Sequence, residues 1–502
     1  MALDPSPLPL SRCGIISYGL GGIGWAAISQ TVGIQLIYFY IPPDAGGSCL
    51  DLEGDGTFAS NSSAAPEPIF PPYVPDIKFA VVFNVIALLA AAGRLWDAVT
   101  DPLIASLSDN LSCRYGRRIP LLAAGAVPTA VFCLLLFFPI VGEESIWNIV
   151  WLAVIQLLFY LSITVYITPY FALVADLGHT DGERVQLAAA SSIAFALGSV
   201  LAGSVSALGG IFGFERAESG LQAGVGIVCT LATIFMAAPV VVIDERKHCA
   251  PPSGSTSLGM SARHCLRNRY FRCYVAADFA FFFASTMVQT AMPFYLTTLL
   301  CVPIELLQYV IGGLVLVSFL WYYPIAKLAA RHGKKPLIIF GMLLEAAVFT
   351  LVYFLGRPLL PMPPLVQLYV LPILLSVSLA ILGMLPNAVL ADISVHDSLS
   401  TGCSNEAMFA AARAFLQKLG VTLGIVLFAS LTNFGKDPGD DLGVRLSGPA
   451  CVVVLLLACL AFTFYDERGM LLEMAAAKAA VNAKRSADGL AAAHSAVHAA
   501  AD

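Results

Sequence analysis

The chain has 502 residues, of which 58% are hydrophobic and only 12% are charged, and its mean hydropathy is +0.81. A soluble globular chain usually has about 25% charged residues, so these values argue against a soluble enzyme of this size. The formal net charge of −6 argues against a nucleic-acid-binding protein, because no excess of basic residues is available to contact phosphates. The composition instead predicts an integral membrane protein.

Apolar runs of about 20 residues, long enough to cross a bilayer as helices, recur along the whole chain. The first run is too long for the apolar core of a signal peptide, which predicts that it is retained as a span. The predicted spans are 15–41, 77–104, 119–141, 147–174, 188–212, 221–243, 272–299, 304–327, 335–356, 365–391, 408–432 and 446–465. Twelve spans predict an all-α membrane protein.

The distribution of basic residues gives the predicted orientation, because Lys and Arg concentrate in cytoplasmic loops. Most of them fall in cytoplasmic segments when both termini are cytoplasmic. The predicted organisation is a cytoplasmic N-terminus at 1–14, an N-terminal six-helix half at 15–243 with a long outside loop at 41–76, a cytoplasmic linker at 244–271, a C-terminal six-helix half at 272–465 and an alanine-rich cytoplasmic tail at 466–502.

An internal repeat supports the two halves. The segment Arg114-Tyr115-Gly116-Arg117-Arg118 follows the second span, and Arg331-His332-Gly333-Lys334-Lys335 follows the eighth. Each lies in the short turn between the second and third helices of its half, and parallel repeats of this kind place a substrate site between the halves. The residues of these turns predict a cytoplasmic gate made of Asp109, Arg114, Gly116, Arg117, Arg118, Arg331, Gly333 and Lys334.

Ionisable residues inside a span are costly and usually functional, and the second span carries the densest group, within 94–102. Asp97 and Asp101 are four residues apart, so they project from one helix face. Two such carboxylates can hold a monovalent cation through their oxygens or share one proton. Lys418, in the middle of the eleventh span, is the predicted countercharge. A purely structural salt bridge between the halves is the alternative.

Polar and aromatic residues inside spans are candidates for the wall of a substrate cavity. They are Trp25, Gln30, Tyr166, Tyr170, Gln289 and Asn387. Hydrogen bonding between buried helices explains the amides equally well. Glu345 and Asp278 are further acidic residues within spans, and Arg413 lies more than a turn before Lys418.

Two other patterns predict no cofactor chemistry. The run Gly19 to Gly24 matches G-x-G-x-x-G, but it lies within a span, where small residues favour close helix packing over dinucleotide binding. The 12 cysteines include no C-x-x-C, so no zinc or iron–sulfur site is expected. Cys49 and Cys301 fall in outside loops and could pair. The expected cofactors are therefore none, with a monovalent cation, Na⁺ or H⁺, as coupling ion and no other metal.

Three stretches of the chain resemble a known family. They are 18–40 with Tyr18-Gly19-Leu20-Gly21 and Tyr38-Phe39-Tyr40, 93–120 with the Trp-Asp-x-x-x-Asp-Pro core, and 391–420 with Gln417-Lys418-Leu419-Gly420. With the pattern of spans they make residues 12–466 resemble the glycoside–pentoside–hexuronide:cation symporters of the major facilitator superfamily, the group of melibiose permease. The resemblance implies the major facilitator fold.

The resemblance also implies site residues. The cation site of the family falls on Asp97, Thr100, Asp101 and Thr164, and Lys418 matches the lysine of its eleventh helix. The sugar side departs from the family. Its two acidic residues would fall at Gly24 and Ile167 and its arginine near Ser192, and none of the three is retained.

The expected function is a cation-coupled secondary symporter of a small solute, either a glycoside or another sugar, working by alternating access. A symporter of a more apolar or amphiphilic solute, such as a lysolipid, is the first alternative, and a non-transporting, transporter-like sensor is the second. No enzymatic activity is expected. The expected partners are a small-molecule substrate and the lipid bilayer, without nucleic acid, and the protein is expected to act as a monomer in the plasma membrane.

Overall fold

The computed structural model describes residues 11–43, 70–71, 73–75, 78–79, 83–111, 113–178, 181–214, 216–248, 267–357, 362–401 and 406–476. The helices are α1 (Arg12–Tyr40), α2 (Val85–Asn110), α3 (Ile119–Leu136), α4 (Ile146–Leu177), α5 (Asp181–Gly203), α6 (Val205–Gly210), α7 (Ala217–Val242), α8 (Glu245–His248), α9 (Arg269–Phe294), α10 (Leu307–His332), α11 (Lys335–Val352), α12 (Pro364–Thr401), α13 (Glu406–Leu431) and α14 (Leu442–Thr463). Residues 467–476 are also helical.

Short elements connect these helices. Strands Lys78–Phe79 and Phe83–Asn84 form an antiparallel pair before α2. The π-helical turn Tyr295–Leu299 continues α9, the 3-10 turn Ile304–Leu306 precedes α10, and Thr432–Phe434 follows α13. Cys301 is disulfide-bonded, whereas Cys49, the partner considered above, lies outside the described residues.

Ten helices among the described residues are long and apolar enough to cross a membrane. Two helices in the positions of predicted spans are not among them. One is α2, which carries Arg94, Asp97 and Asp101, and the other is α5, whose apolar part is Ala189–Gly203. The all-helical architecture predicted from the sequence is therefore observed, and the count of twelve spans remains a prediction.

Several predicted span boundaries differ from the helix ends. The second span was expected to begin at residue 77, but α2 begins at Val85, after the pair of strands. The fifth span was expected at 188–212, but α5 ends at Gly203 and the separate short helix α6 follows Ser204. The tenth was expected to end at residue 391, whereas α12 continues to Thr401. A helix does not have to end where its apolar stretch ends, since its backbone hydrogen bonds are satisfied equally well in a polar segment.

Glycines allow α1 to pack closely at the centre of the N-terminal half. A Cβ atom on Gly24 would lie 2.5 Å from the carbonyl oxygen of Ala232 on α7, and one on Gly22 would lie 2.6 Å from Cβ of Ala194 on α5. Both distances are too short for real atoms. The glycine motif therefore serves close helix packing, as predicted.

The two ends of the helix bundle differ in how the halves, α1–α7 and α9–α14, meet. We call the end with turns 114–118 and 331–335 the basic end and the opposite end, where α1 stops, the far end. Near the far end, the Thr290 hydroxyl donates to the Gly33 carbonyl at 3.2 Å, and Lys436 donates to the carbonyl of Pro42. These contacts join the two halves near the far end.

The basic end lacks comparable bridges in the part of the chain that the structure describes. There, each ion pair joins groups of the same half, either around Asp176, Asp244 and Glu245 or around Asp278, Asp392 and Glu473. The described contacts between the halves thus concentrate at the far end and at one ion cluster in the interior.

Candidate cation and substrate site

An ion cluster joins α2 of one half to α13 of the other. Nζ of Lys418 lies 2.8 Å from Oδ2 of Asp97 and also contacts Oδ2 of Asp101. The side chains of Lys418 and Asp101 are 29% and 34% exposed, and that of Asp97 is 9% exposed. The structure therefore brings the three charges together, with Asp97 on the buried side and Asp101 on the open side.

Two hydroxyl groups complete the surroundings of Asp97. Oγ1 of Thr164, on α4, donates to Oδ1 of Asp97 at 2.6 Å, and Oγ1 of Thr100 donates to the main-chain carbonyl of Asp97 at 3.3 Å. Thr164 can approach because α2 packs tightly on α4, where Gly93 leaves no space for a Cβ atom beside Tyr160. Carboxylate and hydroxyl oxygens are the ligands that hard cations prefer, and the Lys418 ammonium contacts one oxygen of each carboxylate.

The predicted cavity residues Tyr166 and Tyr170 lie elsewhere than expected. Both side chains are fully buried. The Tyr166 hydroxyl donates to the carbonyl of Met236, and the Tyr170 hydroxyl donates to the carbonyl of Tyr18, each at 3.0 Å. The rings of Tyr18 and Tyr170 stack with centroids 4.3 Å apart. These tyrosines form the core of the N-terminal half, because their hydroxyls find backbone partners inside it, and they do not line an open cavity.

Trp25 belongs to a ring cluster, which we call the aromatic surface, formed by Trp25, Phe171 and Phe195 from α1, α4 and α5. The Trp25 ring lies 5.5 Å from that of Phe171 and 5.8 Å from that of Phe195. Trp25 is buried, but Phe171 and Phe195 are 47% and 41% exposed. Phe171 follows Ile167 by one turn on α4, and Ile167 is one of the positions where the resemblance would place a sugar-binding acid.

The three amide candidates are engaged in local hydrogen bonds. Gln30 donates to Ser199 of α5 at 3.3 Å, which links two helices, and Gln289 donates to Ser285 of its own helix at 3.2 Å. Asn387 is exposed, donates to the carbonyl of Gly383 and accepts from Arg413. For Gln30, hydrogen bonding between buried helices is thus the better interpretation.

A second charged cluster was missed as a unit. Arg413 donates to both carboxylate oxygens of Asp278, at 3.0 Å through Nε and at 2.9 Å through Nη2, and Gln417 donates to Asp278 at 3.0 Å. Asp278 is buried, and these two parallel hydrogen bonds from the Arg413 guanidinium neutralise its charge. The signal was present in the sequence, because an acid and a base in neighbouring spans need partners.

The predicted gate residues of the N-terminal half form what we call the N-terminal brace. Arg117 and Arg118 each contact Asp176 at 3.1 Å, and Oε2 of Glu245 accepts the backbone N–H groups of Arg118 and Ile119 at 2.8 and 3.1 Å. The carboxylate thereby caps the start of α3, where backbone donors have no partner within the helix.

The C-terminal half repeats this arrangement as the C-terminal brace. The two oxygens of Glu467 accept the backbone N–H groups of Lys334 and Lys335, each at 2.8 Å, and the Lys334 ammonium contacts Asp392. Gly116 and Gly333 have φ angles of 108° and 89° in the two turns, a region that favours glycine.

Both braces act within one half and do not close the basic end across the halves. Of the remaining predicted gate residues, Arg114 is exposed and stacks on Tyr115 with its Cζ 4.7 Å from the ring centroid, and Arg331 is exposed at the end of α10. The side chain of Asp109 lies outside the described residues.

Replacing Glu245 by alanine is expected to destabilise the fold by about 2 kcal/mol, because two backbone donors and Arg117 lose a buried charged acceptor. Thermal unfolding of the purified protein measures the effect. The exposed Glu144 is the matched control, and Glu144→Ala should leave stability unchanged. Equal stability of the two variants would contradict the capping role of Glu245.

A family model described as MFS/sugar transport protein matches residues 63–463. The chain belongs to this family. Together with the apolar helices, this membership makes it an integral, multi-pass membrane protein of a transporter family, and it confirms the resemblance drawn from the motifs.

Individual relatives agree with this membership. The inner membrane symporter YicJ of Escherichia coli (strain K12) is 22% identical over 388 residues, which cover 75% of this chain and 80% of YicJ. The sodium-dependent lysophosphatidylcholine symporter 1 of Xenopus tropicalis is 29% identical over 131 residues, covering 26% of this chain and 24% of that protein.

A solved structure supports the fold. The crystal structure of the nucleoside transporter NupG superposes with a TM-score of 0.61 at 11% identity, covering 90% of this chain and 100% of NupG. At this level of identity the similarity concerns the arrangement of the helices alone.

Proposed function

We propose that the chain is a cation-coupled symporter that moves a small solute by alternating access of its two halves. In this proposal it has twelve spans, both termini in the cytoplasm, and acts as a monomer in the plasma membrane. The observation that carries the proposal is the ion cluster of Asp97, Asp101 and Lys418, since it joins the halves and contains the oxygen ligands that a small cation needs.

Competition between a cation and the ammonium would provide the coupling. In this structure the Lys418 ammonium pairs with both carboxylates and neutralises one of their two negative charges. Na⁺ or H⁺ entering from the open side at Asp101 would take over that neutralisation, so that Lys418 and the helix that carries it are released from α2. Cation occupancy would then change the free energy of the contact between the halves, which is what coupling requires.

The contacts between the halves at the far end would be the second part of the transport mechanism. The contacts from Thr290 to Gly33 and from Lys436 to Pro42 would break when the halves rock, and the basic end would close. In this proposal the structure represents the state that is closed at the far end, and in the predicted orientation the solute would leave from it toward the cytoplasm.

Two solute classes are compatible with the family. A glycoside is suggested by the description of the family model. A more apolar or amphiphilic solute is favoured by the aromatic surface of Trp25, Phe171 and Phe195, since no acidic side chain stands at Gly24 or Ile167 to bind sugar hydroxyls. The name of the Xenopus tropicalis relative points the same way.

Thermal unfolding of the purified full chain tests the coupling. We expect NaCl, or low pH if the ion is H⁺, to raise the unfolding temperature relative to choline chloride, because a cation that binds the folded state stabilises it. The shift should be lost in Asp101→Asn. Indifference of the wild-type protein to both cations would overturn the proposal. Glycosides and lysolipids added in the same matrix separate the solute classes, and solute binding without uptake into proteoliposomes would support the sensor.

A further inference from the structure

A stripe of polar side chains on α4 packs along α2, beside the ion cluster. Gln156, Tyr160 and Thr164 are four residues apart, so they lie on one face of α4, and all three are buried. Gln156 donates to the carbonyl of Leu89 at 3.2 Å, and Thr164 donates to Asp97 at 2.6 Å. Both contacts join residues that are 67 positions apart in the chain, so α2 and α4 run side by side in the same direction.

Tyr160 is the middle member of this stripe, and its ring contacts two consecutive residues of α2. A Cβ atom on Gly93 would lie 2.5 Å from Cε2 of Tyr160, so the ring packs directly on the backbone of α2. The guanidinium of Arg94 lies over the same ring, with Cζ 5.1 Å from the centroid. At this distance the negative face of an aromatic ring attracts a cation. Arg94 is thus held toward α4, within its own half of the protein.

The contact with Tyr160 draws Arg94 away from an acid of its own helix. Asp97 follows Arg94 by three residues, a spacing at which oppositely charged side chains of one helix are neighbours. In the described part of the chain, Asp97 pairs instead with Lys418, and Arg94 forms no ion pair with it. An arginine keeps its charge in proteins, and its guanidinium binds both oxygens of a carboxylate. A pair of Arg94 with Asp97 would therefore occupy a carboxylate that the coupling cation needs.

We infer that Tyr160 is a positioning residue that sets the cation affinity of the site, because its ring keeps the Arg94 guanidinium away from Asp97. Tyr160 contacts neither the cation nor the solute in this role, and it acts through Arg94. Asp97 is thereby kept available for exchange between the Lys418 ammonium and the coupling cation. This inference rests on the proposed function and adds a residue of α4 that controls how strongly the cation binds.

Thermal unfolding of the purified full chain measures the cation affinity, as the NaCl or proton concentration that gives half of the maximal stabilisation. In Tyr160→Leu the ring is lost and the guanidinium can pair with Asp97, so this concentration should rise about fivefold. Tyr160→Phe keeps the ring, and it should stay within about twofold of the wild type. An unchanged cation affinity in a folded Tyr160→Leu variant would overturn the inference.

Tyr353→Leu is the matched control for the loss of a tyrosine under an arginine. The guanidinium of Arg357 lies over the ring of Tyr353 with Cζ 5.0 Å from the centroid, but neither residue belongs to the ion cluster. This variant should therefore bind the cation as the wild type does. A loss of affinity equal to that of Tyr160→Leu would mean that the measurement reports general destabilisation, and it would contradict the role of Tyr160.

A double-variant cycle shows whether Tyr160 acts through the arginine. In a protein that already carries Arg94→Gln, adding Tyr160→Leu should leave the cation affinity unchanged, because no guanidinium remains to pair with Asp97. The same loss of affinity with and without Arg94 would assign Tyr160 to the packing of α2 on α4 and overturn the inference.

A ring of similar shape serves as the test if Tyr160→Leu does not fold. Replacing Tyr160 by 3,4,5-trifluorophenylalanine withdraws electron density from the ring face and so weakens its attraction for a cation. Compared with Tyr160→Phe, the half-maximal cation concentration should rise about threefold. Equal concentrations for the two rings would contradict the inference.

The same titrations separate the two proposals. A wild-type protein whose stability responds to neither Na⁺ nor pH would refute the cation coupling itself, and the role of Tyr160 with it. A wild-type protein that responds to the cation, with a Tyr160→Leu variant of equal cation affinity, would leave the symporter proposal standing and refute only the role of Tyr160.

Discussion

Lys418→Met is expected to destabilise the protein by about 2 kcal/mol in choline chloride and to abolish accumulation of solute against a gradient. The substitution leaves Asp97 and Asp101 without their ammonium partner, and removing one member of a buried ion pair costs about 3–5 kcal/mol. The partial exposure of Lys418 and Asp101 reduces that cost. NaCl should restore much of the lost stability, since a cation can now occupy the carboxylates without competition.

A second substitution separates charge from packing. In Lys418→Met combined with Asp101→Asn, one negative charge is removed together with the positive one, so stability in choline chloride should recover by about 1 kcal/mol. Lys247→Met, at a cation that is 67% exposed, should change nothing. Thermal unfolding in NaCl and in choline chloride measures all three variants. A double variant no more stable than Lys418→Met would show that the methionine disturbs packing instead.

Gly24→Asp is expected to prevent folding, although the family resemblance drawn from the motifs implies an acidic residue at this position. A Cβ atom there would collide with the carbonyl of Ala232 at 2.5 Å and with Cγ of Met236 at 2.6 Å. The carboxylate would also enter the contact between α1 and α7 without a described cation to pair with. We expect the cost to exceed about 4 kcal/mol, visible as loss of folded protein in size-exclusion chromatography.

Two alanine variants make this prediction quantitative. Gly24→Ala adds only the Cβ atom and should destabilise by about 2 kcal/mol. At Gly19 the nearest atom to an added Cβ is Cβ of Ala190 at 3.8 Å, an ordinary contact, so Gly19→Ala should be neutral or stabilising by about 0.5 kcal/mol because alanine favours helix. Gly24→Ala with wild-type stability would mean that α1 and α7 are not packed as described.

The sequence was informative wherever a residue had few physical options. An unpaired charge inside a span is costly, so two acids and one lysine within spans are expected to pair. The contact of Asp97 and Asp101 with Lys418 was therefore predictable, because the two acids are four residues apart and lie on one helix face. The glycines at 19–24 were likewise predictable, because small residues within a span favour close helix packing over cofactor binding. The use of this ion cluster as a cation site stays a prediction.

The sequence was less informative wherever the rotation of a helix decides the role of a residue. Tyr166 and Tyr170 are aromatic residues in a span, and such residues look the same whether they line a cavity or fill a core. Here the carbonyls of Met236 and Tyr18 accept their hydroxyl groups, which only the packed structure reveals. The role of Gly24 also depends on helix rotation. Because α1 is apolar on all sides, its sequence does not show which face meets α7.

Glu245 and Glu467 form a repeat in the sequence that could have predicted the two braces. Each follows the last long helix of its half, and each caps the third helix of that half. The sequence repeat drew attention to the two basic turns, yet a turn with several exposed backbone donors also requires an acceptor. A search for an acid at the same place in both halves would have found the braces.

The N-terminal brace has a consequence for how the chain is made. All of its members, from Gly116 to Glu245, precede the residues of the second half, so they leave the ribosome before α9 does. The first half can therefore lock its third, fourth and last helices together during translation. The second half then inserts beside a first half that is already folded. The ion cluster forms last, when Lys418 is inserted and contacts Asp97 and Asp101, which are already in position.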